Sequence, residues 1–191
     1  LHAIHALSQQ ALGSDDKQLH RDFLNAVATS LSHWDEVTRV EAAIAVAHLA
    51  RHQPSAVAMK TNVPAKILVD SLKLEATPAR QAALISALSD LAQVPAELPL
   101  LSALGDEDIQ ARERVLLAIG SIRRTATADA TTASLESSLR DRHANLRQQA
   151  ASAISRLAQA EWPDFKSALR AKAAILETAL QDRDRTVRVS A

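Results

Sequence analysis

Apolar residues recur along this chain with a helical period, and the recurrence itself repeats. After Arg112 come Val115, Ala118, Ile119 and Ile122, at three, six, seven and ten places. After Arg147 the same places hold Ala150, Ala153, Ile154 and Leu157. That spacing draws one apolar stripe along a helix. The positions before the arginine coincide as well, Leu104 with Leu139 and Asp106 with Asp141, at an offset of 35 residues. The same template finds Leu180, Asp182, Val187, Arg188 and Ala191, and also Leu31, Arg39, Ala42, Ala45, Val46 and Leu49, where His33 stands in the aspartate's place. A degenerate copy runs from Thr77 to Leu91, with Gln81 replacing the arginine and Arg80 beside it. Ala3, Ile4 and Leu7 form the tail of one more.

Each of these helices is preceded by a second apolar-periodic stretch. These are Leu19, Phe23, Val27 and Leu31; Ile67, Leu68 and Leu72; Leu98, Leu101 and Leu104; Leu135 and Leu139; and Leu169, Ala173, Leu176 and Leu180. The pattern therefore predicts helix pairs. Asp35, Thr77, Asp106 and Asp141 lie near the starts of second helices, where a short acceptor satisfies free backbone amides. Pro54, Pro64, Pro78, Pro95, Pro99 and Pro163 mark boundaries, and Pro64 is placed to split the first helix of its repeat. The predicted organisation is one domain over 1–191, with repeats at 1–13 (partial), 14–52, 53–93, 94–124, 125–160 and 161–191 (partial).

Composition agrees and removes alternatives. The 191 residues include 39 alanines and 26 leucines but three glycines, two phenylalanines and no tyrosine, a mixture suited to helices rather than strands. The absence of cysteine excludes disulfide scaffolds and thiolate metal sites. A balance of 22 basic and 22 acidic side chains argues against a general binder of nucleic acid or anionic membrane, since both usually carry basic excess. No apolar run approaches the roughly 18–20 residues of a membrane span, and no targeting leader is in view. The plain, bridge-free composition fits an intracellular, cytoplasmic setting. Neither a dinucleotide fingerprint nor a phosphate-binding P-loop occurs, and nothing calls for a cofactor.

The series Leu180, Asp182, Asp184, Val187, Arg188, Ala191, nearly matched by Leu104, Asp106, Asp108, Arg112 and Val115, resembles the signature of HEAT repeats. The resemblance covers essentially the whole chain. It implies an all-α, right-handed α-α superhelix, an armadillo-like solenoid of about four full repeats flanked by two half-repeats. It implies little about activity, because such folds host many functions. Leu1 stands four places after an absent arginine and Ala191 three places after Arg188, so both ends fall inside second helices. The chain reads as an excerpt of a longer array, with end-to-end stacking of successive copies as the other reading. Either way the end repeats lack polar caps unless something covers them.

Asp106, Arg112, Asp141, Arg147, Asp182 and Arg188 come in series, whereas catalytic residues are single events. They are expected to form a structural ladder, each arginine bridging to an aspartate of its own or the next repeat. His2 and His5, and His48 and His52, have the spacings of one helix face. No His-Glu pair of the kind that marks the HEAT-repeat di-iron hydroxylases occurs, so these histidines read as solvated and no metal is expected. Trp34, in the turn between paired helices, is expected to pack over the end of its pair; exposed there, it would resemble the tubulin-binding TOG domains. Trp162 and Phe165 read as a hydrophobic staple.

Subtracting the buried stripe leaves rows at two, five and nine places after the arginine. They comprise Glu41, Ile44 and His48; Asp90; Arg114, Leu117 and Ser121; and Gln149, Ser152 and Arg156, with Ala83 and Ser86 in the degenerate copy. The resemblance implies that stacked second helices line a concave face along which these rows run. Mixed acid, base, amide and aliphatic chemistry suits a protein or peptide segment, and four aromatic residues give no platform for stacking bases. The reading is a non-catalytic protein–protein interaction scaffold. The alternatives are a TOG-like tubulin binder, a bilin lyase-like protein suggested by the run Leu104, Gly105, Asp106, Glu107, Asp108, and a HEAT-like DNA glycosylase acting through Arg112, Arg114, Arg147 and Arg156.

Overall fold

The computed structural model describes residues 17–52, 62–75, 77–91, 98–122, 128–160, 163–171 and 174–190. The partial repeat at 1–13, His2, His5, Pro54, Pro95, Trp162 and Ala191 lie outside these. The described residues hold eleven helices and no strand. They fall in two compact units, Leu1–Pro99 and Leu100–Ala191.

In the first unit α1 (Lys17–Leu31) pairs with α2 (Glu36–His52), and α3 (Asn62–Leu74) pairs with α4 (Pro78–Leu91). Helix α2 also packs against both members of the second pair, which makes it the centre of the unit. Its sequence explains this. Val40, Ala42, Ala43, Ala45, Val46, Ala47, Leu49 and Ala50 are all buried, a wider band than the single stripe expected. Alanine side chains let neighbouring backbones approach, while Phe23, Leu68, Leu72, Leu84 and Leu88 on the other helices supply volume. Pro78 opens α4, where its missing N–H costs no helical bond. Pro64 sits buried in the first turn of α3.

The second unit contains most of α5 (Leu98–Ala103), then α6 (Ile109–Ile119), α7 (Ala128–Leu139), α8 (Ala144–Gln159), α9 (Pro163–Ala171), α10 (Ala174–Leu180) and α11 (Arg185–Ser190). Helix α8 is its centre, packing against its partner α7, against α6 on one side and α11 on the other. Leu146, Ala150, Ala151, Ala153, Ile154 and Leu157 line its buried face. Gly120 ends α6 against α8. A β-carbon there would lie 2.9 Å from the Cα of Ala153, so close approach of the two helices requires glycine.

Several expected core positions differ, Leu31 and Ile67 among them, both half-buried. In α5, Leu100 and Ala103 are buried while Leu101 and Leu104 are half-buried, because the latter two border a cavity rather than packed side chains. Leu180, a counterpart of the buried Leu139, is 57% exposed. Its helix packs mainly against α7 and α11, which leaves the end of α10 uncovered.

Candidate functional site

One small device recurs at every described turn inside a helix pair. Six residues before the template arginine, a side-chain acceptor receives the backbone N–H two residues on. Asp106 Oδ1 accepts from Asp108 N at 3.0 Å, Asp141 Oδ1 from His143 N at 2.9 Å, and Asp182 Oδ1 from Asp184 N at 2.8 Å. The departures from aspartate keep the bond. His33 Nδ1 accepts from Asp35 N at 3.1 Å, and Glu75 Oε1 accepts from Thr77 N at 2.8 Å. At four of these turns the residue in the arginine's place also donates to the turn's own carbonyls. Arg39 Nη1 reaches His33 O and Trp34 O, both at 2.8 Å; Arg147 Nη1 reaches Asp141 O at 3.0 Å; and Arg188 Nη1 reaches Asp182 O at 2.7 Å. Gln81 Nε2 does the same to Glu75 O at 2.6 Å, so an amide replaces a guanidinium without loss of this bond.

Caps complete the turns. Asp35 Oδ2 accepts from both Thr38 N and Thr38 Oγ1, and these bonds hold its carboxyl below the usual range. Asp108 caps α6 and Asp184 caps α11 by accepting from the amides two residues on. His143 stands in that position before α8 and makes no side-chain cap bond.

In the second unit the arginines also reach forward to the next repeat. Arg147 grips Asp182 with two bonds, Nε to Oδ2 at 2.7 Å and Nη2 to Oδ1 at 3.0 Å, with both side chains over nine-tenths buried. The Arg147 bond holds the Asp182 carboxyl low, and Asp182 in turn raises the guanidinium. Arg112 reaches Asp141 through Nη1 alone, at 2.5 Å. Burial pushes the Asp141 carboxyl up, but its bonds from His143 and Arg112 outweigh this and leave it lowered.

The surface rows divide by unit. On α2, Glu41 and His48 are exposed and Ile44 is half-buried, at the spacing of one helix face. On α6, Arg114 and Leu117 are half-buried, and Ser121 just beyond is exposed, its hydroxyl donating to Leu117 O at 2.8 Å. On α8, Gln149 and Ser152 are half-buried and Arg156 is exposed. Arg156 Nε donates to Ser152 O at 3.3 Å and lies 3.2 Å from where a Gly120 β-carbon would be, which brings it beside Ser121.

Asp90 does not join a solvated row. It is 8% exposed, its Oδ1 lies 3.9 Å from Arg51 Nε, and its Oδ2 is buried with no hydrogen-bond partner among the described residues. Burial pushes its carboxyl above the usual range, against the opposing pull of Arg51, His48 and His52. Among the described residues no group of three or more histidine or carboxylate side chains is placed to hold a metal ion.

Trp34 does not pack over the helix ends. It is 85% exposed and touches the neighbouring His33 ring at a centroid distance of 5.4 Å. Two bonded carbonyls in the turn position its backbone, and the indole projects free of the core. Glu75, six places before Gln81, and Ser137, ten places before Arg147 as Ser71 and Ser102 are before Gln81 and Arg112, both stand at recurring places of the template, a signal by which the sequence could have found them.

Among solved structures, the fold has counterparts. A structure from work on microtubule plus-end tracking by XMAP215, CLIP-170 and EB1 superposes with a TM-score of 0.58 at 15% identity, over 96% of this chain and 86% of that one. The fold is that of armadillo- and HEAT-like helical repeats. A computationally designed armadillo repeat protein for modular peptide recognition gives a TM-score of 0.49 at 19% identity, over 99% of this chain and 89% of that one. Another designed armadillo repeat protein gives 0.46 at 18%, with the same coverage of each chain. No protein-family profile and no curated protein sequence matches. Among the described residues, no helix of this repeat fold is long and apolar enough to cross a membrane.

Proposed function

We propose that this chain is a non-catalytic scaffold that binds a protein or peptide segment through the surface rows of its second helices. The observation that carries the reading is the pair of adjacent rows on α6 and α8. There Arg114, Leu117, Ser121, Gln149, Ser152 and Arg156 offer cations, an aliphatic side chain, an amide and hydroxyls from helices whose other faces are locked into a core. Such a mixture on rigid elements suits main-chain and side-chain recognition of a polypeptide. The test is selection of peptides against the intact chain, followed by charge reversal. Arg114→Glu with Arg156→Glu is expected to remove binding while the circular dichroism spectrum and Tm stay unchanged. Peptides that bind the double variant as tightly as the parent would overturn the reading.

A second reading rests on Trp34. An indole 85% exposed in a turn held by Arg39 is an available anchor of the kind that dominates protein interfaces. With a fold counterpart drawn from work on microtubule plus-end tracking, this favours tubulin as the partner. Tubulin co-sedimentation is expected to be lost in Trp34→Ala, and retention would dispose of the reading.

A further inference from the structure

The two turns that Arg147 locks together carry cations that the fold does not use. Arg147 Nη1 donates to Asp141 O at 3.0 Å and Arg142 O at 3.2 Å, while its Nε and Nη2 hold the Asp182 carboxylate of the next turn. On that next turn Arg188 Nη1 does the same, reaching Asp182 O at 2.7 Å and Arg183 O at 3.0 Å. Arg142 and Arg183 thus stand at one place of the template, five before its arginine, in equivalent turns. The turn uses their carbonyls only. Their side chains are exposed and make no hydrogen bond or ion pair among the described residues, and the same holds for Arg185.

The carboxylates of these turns are already engaged. Asp141 accepts from Arg112 and His143, Asp182 from Arg147, and Asp184 from Thr186, while Arg140 is paired with Glu136 at 2.8 Å. Three guanidinium groups are left open to solvent, each a planar fork of donors that matches a carboxylate or a phosphate. Extent decides between those two ligands. Helices α6, α8 and α11 pack in succession, so neighbouring turns lie about 8–10 Å apart. One repeat earlier in this unit the place of Arg142 and Arg183 holds Glu107, also exposed, with Asp108 beside it. The surface therefore reverses sign within roughly a Debye length of Arg142, and a phosphate backbone running along the turns would meet carboxylates there. An acidic polypeptide segment a few residues long meets only the cations. Side chains three residues apart in an extended segment are separated by about 10 Å, which matches the spacing of the two turns.

We infer that the turns after α7 and α10 form an interaction surface for a short acidic polypeptide segment, with Arg142 and Arg183 each taking one carboxylate and Arg185 adding its charge to the second. This surface lies on the turns, apart from the second-helix rows of the proposed scaffold, and stands or falls without them. The probe is hexaglutamate, titrated at low salt into the ¹⁵N-labelled intact chain, with hexalysine and hexathymidylate as controls. A few exposed ion pairs give a Kd on the order of 1 mM. Saturating shifts are expected at the amides of Arg142, His143, Arg183, Asp184 and Arg185, with none there from hexalysine and weaker binding of hexathymidylate. Arg142→Gln with Arg183→Gln removes two of the pairs and is expected to weaken hexaglutamate about tenfold. Lys66→Gln with Arg170→Gln, an equal change of charge at exposed positions on α3 and α9, is expected to leave Kd within about twofold of the parent.

Absence of saturation at about 20 mM overturns the inference. So does hexathymidylate that shifts the same amides and saturates as early as hexaglutamate, which makes the surface a phosphate contact. Equal weakening by the two double variants marks general charge attraction and overturns it as well. The side chains of Arg142 and Arg183 bond nothing in the fold, so their double variant is expected to keep the circular dichroism spectrum of the parent. The shifts produced by the three probes on the parent chain decide the matter even where a variant fails to fold.

Discussion

Replacing Asp90 by asparagine is expected to stabilise the protein, and the structure gives the sign and the size. The Oδ2 of Asp90 is buried without a partner among the described residues, and a buried unsatisfied polar atom costs about 1–3 kcal/mol. Its counter-charge is Arg51 at 3.9 Å, whose side chain is 61% exposed, so solvent reduces that pair to well under about 1 kcal/mol. The carboxylate therefore sits in the fold at a net cost, and its pKa is raised by burial above 3.8. A raised pKa means that the folded state holds the proton longer than the unfolded state. The stability linked to protonation is fully present below the unfolded value and is lost as pH rises through the folded value. Asp90→Asn keeps the shape and leaves one polar atom unpaired, so what it relieves is the added cost of burying the charge. It should gain about 1 kcal/mol at pH 7, and that gain should shrink toward zero as pH falls below about 4. Urea unfolding of parent and variant across this range, at constant m-value, measures the difference directly. A variant less stable than the parent at pH 7, or a gain independent of pH, would refute the account.

Other expectations separate the junctions and surfaces. Arg147→Ala breaks a buried two-bond pair with Asp182 and should cost about 3–5 kcal/mol, whereas Arg188→Ala loses exposed bonds to carbonyls and should cost about 1 kcal/mol, as read by urea midpoints. Gly120→Ala forces a β-carbon to 2.9 Å from Ala153 Cα and should cost about 1–3 kcal/mol, measured as a lowered Tm. Asp182 has a lowered pKa, chiefly through its bond from Arg147, so its contribution is present above the unfolded value and is lost as pH falls through the folded one. Acid unfolding should therefore move to higher pH in Arg147→Ala. Trp34→Ala removes little buried surface and should shift stability by under about 0.5 kcal/mol.

The helix pairs were legible because their apolar positions repeat with helical period, and because alanine recurs where backbones come close, as at Ala118, Ala150 and Ala153. The width of the buried face on α2 was not legible, since a template of four anchors cannot distinguish a helix with one neighbour from a helix with three. Asp90 and Trp34 both depart from what their sequence positions suggest, for opposite reasons. Position nine after the arginine is exposed for His48 and Arg156, yet in α4 the same place turns toward the C-terminal end of α2. A lone tryptophan normally seeks burial, but Arg39 fixes the carbonyls of His33 and Trp34 in a turn that projects the indole outward.

The turn device explains why some repeats tolerate departures from the signature. What each turn requires is an acceptor for one amide and a donor for one carbonyl, and His33, Glu75 and Gln81 meet those needs as aspartate and arginine do elsewhere. Joining one repeat to the next asks for more, because a guanidinium must satisfy its own turn and still present two parallel N–H groups to a carboxylate. Arg147 achieves both. Glutamine cannot, so a repeat led by Gln81 keeps its turn without an ionic grip of that kind. Arg112 is the intermediate case, with one bond to Asp141, an idle Nε and a cavity beside it. The signature that identifies the fold therefore does not by itself set how tightly a junction closes, since Arg112 and Arg147 hold the same place in it and make one and two carboxylate bonds.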